Sequence, residues 1–253
     1  MNVAVMIKLV PNTETKFVID NGKVNENEFK YFINPYDEFA VEQAVQFKES
    51  FGGKVTLITL FKESPEAERE LRKMLAIGAD EVIYLKQENY RGDRPGANAK
   101  ILAETLKELS PDLIIGGVQG IDYYQMATLP MIAQKLGVPH VASATKLECN
   151  GNELTAHRQV EGGVQIMKTN MPAVITCQKD MNVVRRAALK DIMASKRKPI
   201  EYREVALSES IDMENVEDSL PPARGGGKLI EGETSEQKVD ELIRLLREEA
   251  KII

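Results

Sequence analysis

The chain has no tryptophan, two cysteines and two histidines among its 253 residues. Cys149 and Cys177 stand far apart, give neither a metal-ligand spacing nor a disulfide framework, and read as buried thiols. His140 and His157 have no cysteine or carboxylate at metal spacing and belong to no visible triad, so hydrolytic chemistry has little support. No apolar run approaches the ~20 residues that span a bilayer, and direct membrane insertion is not expected. The net charge of −6 argues against broad attraction to nucleic acid or an anionic membrane surface. A charged-then-apolar leader is missing, since the sequence opens at once on "VAVMIKLV", so a cytoplasmic location is expected. Missing too is a glycine fingerprint after that first run, where "KLVPNTE" stands, which counts against a nicotinamide-linked dehydrogenase acting alone. Nothing supplies an obvious general acid–base pair. The chain reads as a holder of a ligand.

What remains is an ordinary globular composition, 43% apolar and 28% charged, long enough to bury a sizeable core. Strand and helix patterns alternate from residue 1 to about 140. "VAVMIKLV" (3–10) is a near-continuous apolar run of the kind buried on both faces of a parallel sheet. "DNGK" around Gly22 is a hairpin-type turn. A helix from Pro35 sets Ala40, Val41, Ala44 and Val45 on one face and stops at Gly52-Gly53. "KVTLITLF" is the second core strand, Ser64-Pro65 starts a second helix, and "EVIYL" is the third strand. A helix over 97–109 precedes the fourth strand, "DLIIGG", and the next helix is expected over Tyr124 to Leu136. This alternation implies a parallel sheet with right-handed crossovers, whose ligand sits beyond the carboxyl ends of the strands at a topological switch point. The strand ends near Lys8 and Thr59-Leu60, with the segment Gly116 to Thr128, would then converge.

From about 141 the pattern changes to antiparallel strands turning at Asn150-Gly151 and Gly162-Gly163, then an apolar strand Ala173 to Cys177. A short helix is expected in "VVRRAALKDIMASKRK", whose Lys196, Arg197 and Lys198 read as a solvated helix end. After Pro199 come an acidic stretch (Glu209 to Asp218) and the turn-rich "LPPARGGGKLIEGE", too little to build a core. The closing segment sets Val239, Leu242, Ile243 and Leu246 on a narrow apolar stripe, suited to docking on a partner or on its own domain. The expected division is 1–198 as the α/β domain and 199–253 as an arm ending in an amphipathic helix.

The strand-glycine-helix junction "LIIGGVQGIDYYQMATLP" has two readings. Gly116-Gly117 is a tight turn, or it lets a phosphate approach the N–H groups that open the following helix, with Thr128 adding a hydroxyl. Asp122 is a helix cap or an acceptor for ribose hydroxyls. Asn34-Pro35 reads first as a helix cap.

Seven stretches, in order, resemble the beta (small) subunit of the electron transfer flavoproteins over nearly the full length. They are "VAVMIKLVPNTE", "FINPYDEFAVEQAVQFKE", "LRKMLAIGADEVIYL", "PDLIIGGVQGIDYYQ", "GVPHVASATKLE", "HRQVEGGVQIMKTNMPAVITC" and "LKDIMASKRKPI". The resemblance implies a Rossmann-like domain of the adenine nucleotide alpha hydrolase type, with a small antiparallel hairpin region and an extended C-terminal arm. It implies a heterodimer with a larger alpha subunit that carries electrons on FAD between a flavin dehydrogenase, such as an acyl-CoA dehydrogenase, and a further acceptor. In such subunits an AMP, or in bifurcating members that use NADH a second FAD, occupies the nucleotide site. By this resemblance the nucleotide contacts fall on Met6, Asn34, Pro35, Tyr36, Asp37 and Leu60. They continue through Gly117, Val118, Gln119, Gly120, Ile121, Asp122, Tyr123, Tyr124, Gln125, Met126, Ala127 and Thr128. A partner-recognition loop falls on Leu189, Ile192 and Met193, although on an amphipathic helix Leu189 also reads as core.

The chain departs from both variants of the family. Members that hold AMP carry Asn-Gln-Thr where this chain has Met126-Ala127-Thr128, and bifurcating members lack the tyrosines at 123 and 124. AMP and a second FAD therefore both stay open. The competing class is a homodimeric adenine-nucleotide-binding stress module, whose glycine-rich loop ending in Gly-Ser or Gly-Thr is missing from Gly116 to Leu129.

Overall fold

The computed structural model describes residues 1–27, 29–206, 215–222 and 225–253. The acidic stretch from Glu209 lies outside the described residues up to 214, as do Ala223 and Arg224 of the turn-rich run.

The first apolar run forms two strands, β1 (Asn2–Ile7) and β2 (Leu9–Pro11), not one. The break at Lys8 has a cause: its N–H donates to Asp37 Oδ2 at 2.7 Å and its carbonyl accepts from the Asn34 N–H at 2.9 Å. The hairpin β3 (Ile19–Asp20) and β4 (Lys23–Val24) turns through Asn21 and Gly22, both at positive φ (49° and 71°). β5 (Tyr31–Ile33) pairs with β2 and leads into α1 (Pro35–Phe51). The chain continues through β6 (Lys54–Phe61), α2 (Pro65–Ile77), β7 (Glu81–Lys86), α3 (Pro95–Leu109), β8 (Leu113–Gly117) and α4 (Thr128–Leu136). Ser64 caps α2 by accepting the Ala67 N–H at 3.3 Å.

Next come β9 (His140–Asn150), β10 (Glu153–Val160), β11 (Gly163–Asn170) and β12 (Ala173–Cys177), then α5 (Leu189–Ser195), β13 (Ile200–Glu204) and α6 (Ser235–Glu248). The main sheet has nine strands in the order β11-β10-β9-β12-β8-β1-β6-β7-β13. Pairing is parallel from β9 through β12 to β13, and β10 and β11 add antiparallel strands at one margin. At that margin β11 exposes Val164 (61%) and Ile166 (62%).

Alternation within each strand sends residues to two cores. Val3, Val5 and Ile7 of β1 pack with Val41 and Val45 of α1 and Leu71 and Leu75 of α2. Ala4 and Met6 pack with Leu102 and Leu106 of α3 and Ile132 of α4 on the opposite face. Each fully buried aliphatic side chain contributes about 1.5–3 kcal/mol, so these two layers hold the sheet.

β13 pairs with β7 in parallel, from Ile200 opposite Val82 to Glu204 opposite Lys86, so the chain beyond 199 first completes the sheet. The compact units are Met1–Val18 with Val24–Val216, and Ile19–Lys23 with Glu217–Ile253. In the second unit, Thr234 and Gln237 form a reciprocal capping box on α6, which buries Leu245 and leaves Val239 and Leu242 exposed.

Candidate functional site

β1 lies between β6 and β8, and the chain moves out one side through β6 and β7 before crossing back to β8. The switch point is therefore at the carboxyl ends of β1 and β8, where open parallel sheets place ligands. A cavity of about 90 Å³ opens there. It is lined by Met6 and Ile7 from β1, Lys8 at the break after it, Asn34 and Asp37 at the start of α1, and Leu60 from β6. Tyr90 and Gly92 follow β7, Asn98 and Leu102 come from α3, and Gly117, Val118, Gln119 and Gly120 from the end of β8. Gln125, Met126, Ala127, Thr128 and Leu129 close the lining.

Asp37 is the hub. Its carboxylate, 4% exposed, accepts the Lys8 N–H on Oδ2 and the Gly117 N–H (2.8 Å) and Asn34 Nδ2 (3.0 Å) on Oδ1. Burial pushes the carboxyl up to about 7, against these three N–H donors and the Lys8 charge, which pull it down. Gly117 must be glycine because a Cβ there would meet the Asp37 carboxylate, and Tyr36 Cβ at 2.6 Å. One buried carboxylate thus ties the ends of β1 and β8 to the first turn of α1.

Asn34 occupies the cap position of α1, but its side chain makes no cap bond. Nδ2 donates to the Gln119 carbonyl at 2.9 Å as well as to Asp37, and Oδ1 accepts the Ile121 N–H at 3.3 Å. The cap reading gives way to a clasp on the loop after β8, since Asp37 and that loop offer stronger partners than the helix N–H groups.

The helix expected from Tyr124 starts at Thr128, because Tyr124 and Met126 both adopt φ of 53°, outside helical space. Thr128 is nonetheless in its first turn, and no side chain caps that end. Its free N–H groups and dipole suit an anion. Asp122 is not a cap, standing six residues before the helix. Its Oδ1 accepts Lys8 Nζ at 2.7 Å and the Tyr123 N–H at 2.9 Å. Lys8 Nζ also lies 5.2 Å from the Tyr123 ring centroid, within cation–π range.

Of the expected nucleotide contacts, Pro35, Tyr36, Ile121, Asp122, Tyr123 and Tyr124 stand outside the lining, and the others line the cavity. The sequence reading brought the strand end near Lys8 to the site without naming Lys8 as a contact, and it missed Asn98, a polar residue on the buried face of α3. It also missed Ile7, Tyr90, Gly92, Leu102 and Leu129. Tyr90 and Gly92 follow from the same switch-point logic applied to the third strand.

Leu189, Ile192 and Met193 are 77%, 45% and 58% exposed, which excludes a core role for Leu189. Lys198 is no solvated helix end. Its Nζ donates to the Leu75 carbonyl at 2.8 Å and to that of Ala79.

Residues 21–208 match the family described as the electron transfer flavoprotein domain. The chain is 39% identical to an electron transfer flavoprotein subunit beta of Bacillus subtilis, each protein being covered over 100% of its length. A subunit beta of Syntrophomonas wolfei is 36% identical, over 92% of this chain and 91% of its own. The acryloyl-CoA reductase electron transfer subunit gamma of Anaerotignum propionicum is 29% identical over 96% and 97%. No helix among the described residues is long and apolar enough to cross a membrane. With a switch-point cavity, and a match running through most of its sheet, the chain belongs to the electron transfer flavoprotein family, among its beta subunits.

Proposed function

We propose that this chain holds an adenine nucleotide, AMP, at the switch-point cavity and pairs with a larger alpha subunit whose FAD carries the electrons. When bound, the FAD would supply the redox chemistry between a flavin dehydrogenase and a further acceptor. This chain's residues bind, orient and space; none makes or breaks a covalent bond.

The observation that carries the reading is the junction of Lys8, Thr128 and the uncapped start of α4 on one cavity. Lys8 brings a positive charge and α4 brings free N–H groups, which together fit one phosphate. At about 90 Å³ the cavity is smaller than the ~300–1,000 Å³ of ordinary ligand sites, so an adenylate must displace part of the 119–127 loop. A phosphate could take the place of the Asp122 carboxylate on Lys8. The Lys8–Asp122 pair and the Tyr123 ring crowd the approach and favour a monophosphate over a second FAD.

Releasing and counting the ligands of the purified heterodimer tests this. One FAD and one AMP are expected; two FAD would move the assignment to bifurcation with NADH as donor, and a colourless ATP-binding homodimer would favour the stress-module class. Thr128→Trp should empty the site of AMP while the FAD stays, and full AMP retention would count against the loop assignment.

A further inference from the structure

α5 is held without a core of its own. Its large apolar side chains point outward, and Ser195 is its one buried residue. Open cavities of about 600 and 320 Å³ flank the segment where it meets α1 and α2. Packing therefore does little to set its orientation.

Two guanidinium groups do. Arg185, four residues before α5, donates from Nε (2.9 Å) and Nη2 (3.0 Å) to Glu42, and from Nη2 to Glu49 Oε2 at 2.9 Å. Its backbone N–H also reaches Glu42 Oε2, at 3.2 Å. Burial lifts the Glu42 carboxyl, but the hydrogen bonds from Arg185 and Gln46, with the Arg185 charge, together hold the group below its ordinary value. At the other end, Arg72 of α2 donates from Nη1 to the carbonyls of Ser195 (2.8 Å) and Lys198 (2.6 Å), and from Nη2 to Glu68 at 3.2 Å. The Ser195 carbonyl ends α5 and also accepts the Lys198 N–H at 3.2 Å. The Lys198 carbonyl lies three residues past the helix, where Lys198 Nζ adds its own bonds to Leu75 and Ala79. Arg72 thus ties the helix end and the segment after it to α2. Neither arginine lines the nucleotide cavity.

We propose that Arg72 and Arg185 are positioning residues for the partner-facing helix, clamping α5 at both ends so that Leu189, Ile192 and Met193 meet a dehydrogenase in one fixed orientation. The proposal rests on the reading of this loop as the dehydrogenase contact. A helix ordered in advance loses less freedom on docking, so the clamp acts on association with the dehydrogenase and not on the flavin.

The test uses the heterodimer with Arg72→Met, Arg185→Met, the double variant, and Arg72→Lys and Arg185→Lys. Four quantities are read: amide exchange over 186–196, melting temperature, AMP content, and kcat and KM for the heterodimer as electron acceptor of an acyl-CoA dehydrogenase. In the double variant, exchange over 189–195 should quicken by about tenfold or more, while the rest of the chain is unchanged. KM should rise about tenfold, with kcat and AMP content near wild type. Arg72→Lys should restore most of the effect, because an ammonium can reach both carbonyls. Arg185→Lys should not, because a point charge cannot serve two carboxylates as the planar fork does.

Unchanged exchange would overturn the proposal, as would faster exchange with an unchanged KM. A global rise in exchange with a large fall in melting temperature would make the arginines merely structural. Leu189→Ala separates the two ideas. An unchanged KM in that variant, or no transfer from the dehydrogenase to the wild type, sinks the docking reading, and exchange alone then judges the clamp.

Discussion

Asp37 shows how much one residue carries. Its native pKa lies near 7, above the ordinary carboxylate value, so the folded protein binds its proton more tightly than the unfolded chain. The sign follows: this group's stabilising contribution is present in full below the unfolded value and is lost as pH rises through 7. The loss amounts to about 1.4 kcal/mol per pH unit across that window. Asp37→Asn removes the titration, so the fall in urea midpoint between pH 5 and pH 8 should be shallower than in the wild type. An equal slope in both proteins would refute the assignment. The variant should also be less stable at pH 8 by about 1–3 kcal/mol, because an amide cannot accept from all three donors. Aspartate in the first turn of a helix is an ordinary pattern, and nothing in "NPYDE" tells of the bond to Gly117, eighty residues on.

At the scale of elements, the core strands and their order along the chain were legible, because buried parallel strands are continuous apolar runs bounded by glycine and proline. The tight turns at Gly22 and Gly151 were legible for the same local reason. Three elements were not. "VAVMIKLV" reads as one strand, yet Lys8 spends its backbone groups on Asn34 and Asp37. "IEYRE" alternates weakly and sits at a margin with Tyr202 exposed, so it does not look like part of a sheet. The helix start was misplaced by four residues, because two left-handed residues at 124 and 126 carry no glycine to announce them. Asn34 ties the near end of the loop they shape at Gln119 and Ile121, and Lys8 holds Asp122. Asn34→Ala should cost about 1–3 kcal/mol in unfolding free energy. It should also speed AMP dissociation, measurable by dilution from the purified heterodimer; an unchanged off-rate would show that the clasp does not gate the site.

Across the whole molecule, the switch point was deducible before any coordinate, since strand order alone decides where an open parallel sheet leaves room. The division of labour between units was less so. Both hydrophobic layers belong to the unit that runs to Val216, while the second unit leaves Val239 and Leu242 of α6 uncovered. A chain ending at Val216 should therefore melt cooperatively within a few degrees of the full chain. Its co-elution with the alpha subunit on size exclusion should fall sharply. Loss of cooperative melting would place the C-terminal segment in the folding core instead.

The outermost strand, β11, has a further consequence. Among the described residues no strand pairs with its free side, which Val164 and Ile166 flank, the kind of border natural proteins seldom leave bare. The isolated chain is therefore expected to associate edge to edge as its concentration rises, and light scattering would follow that growth.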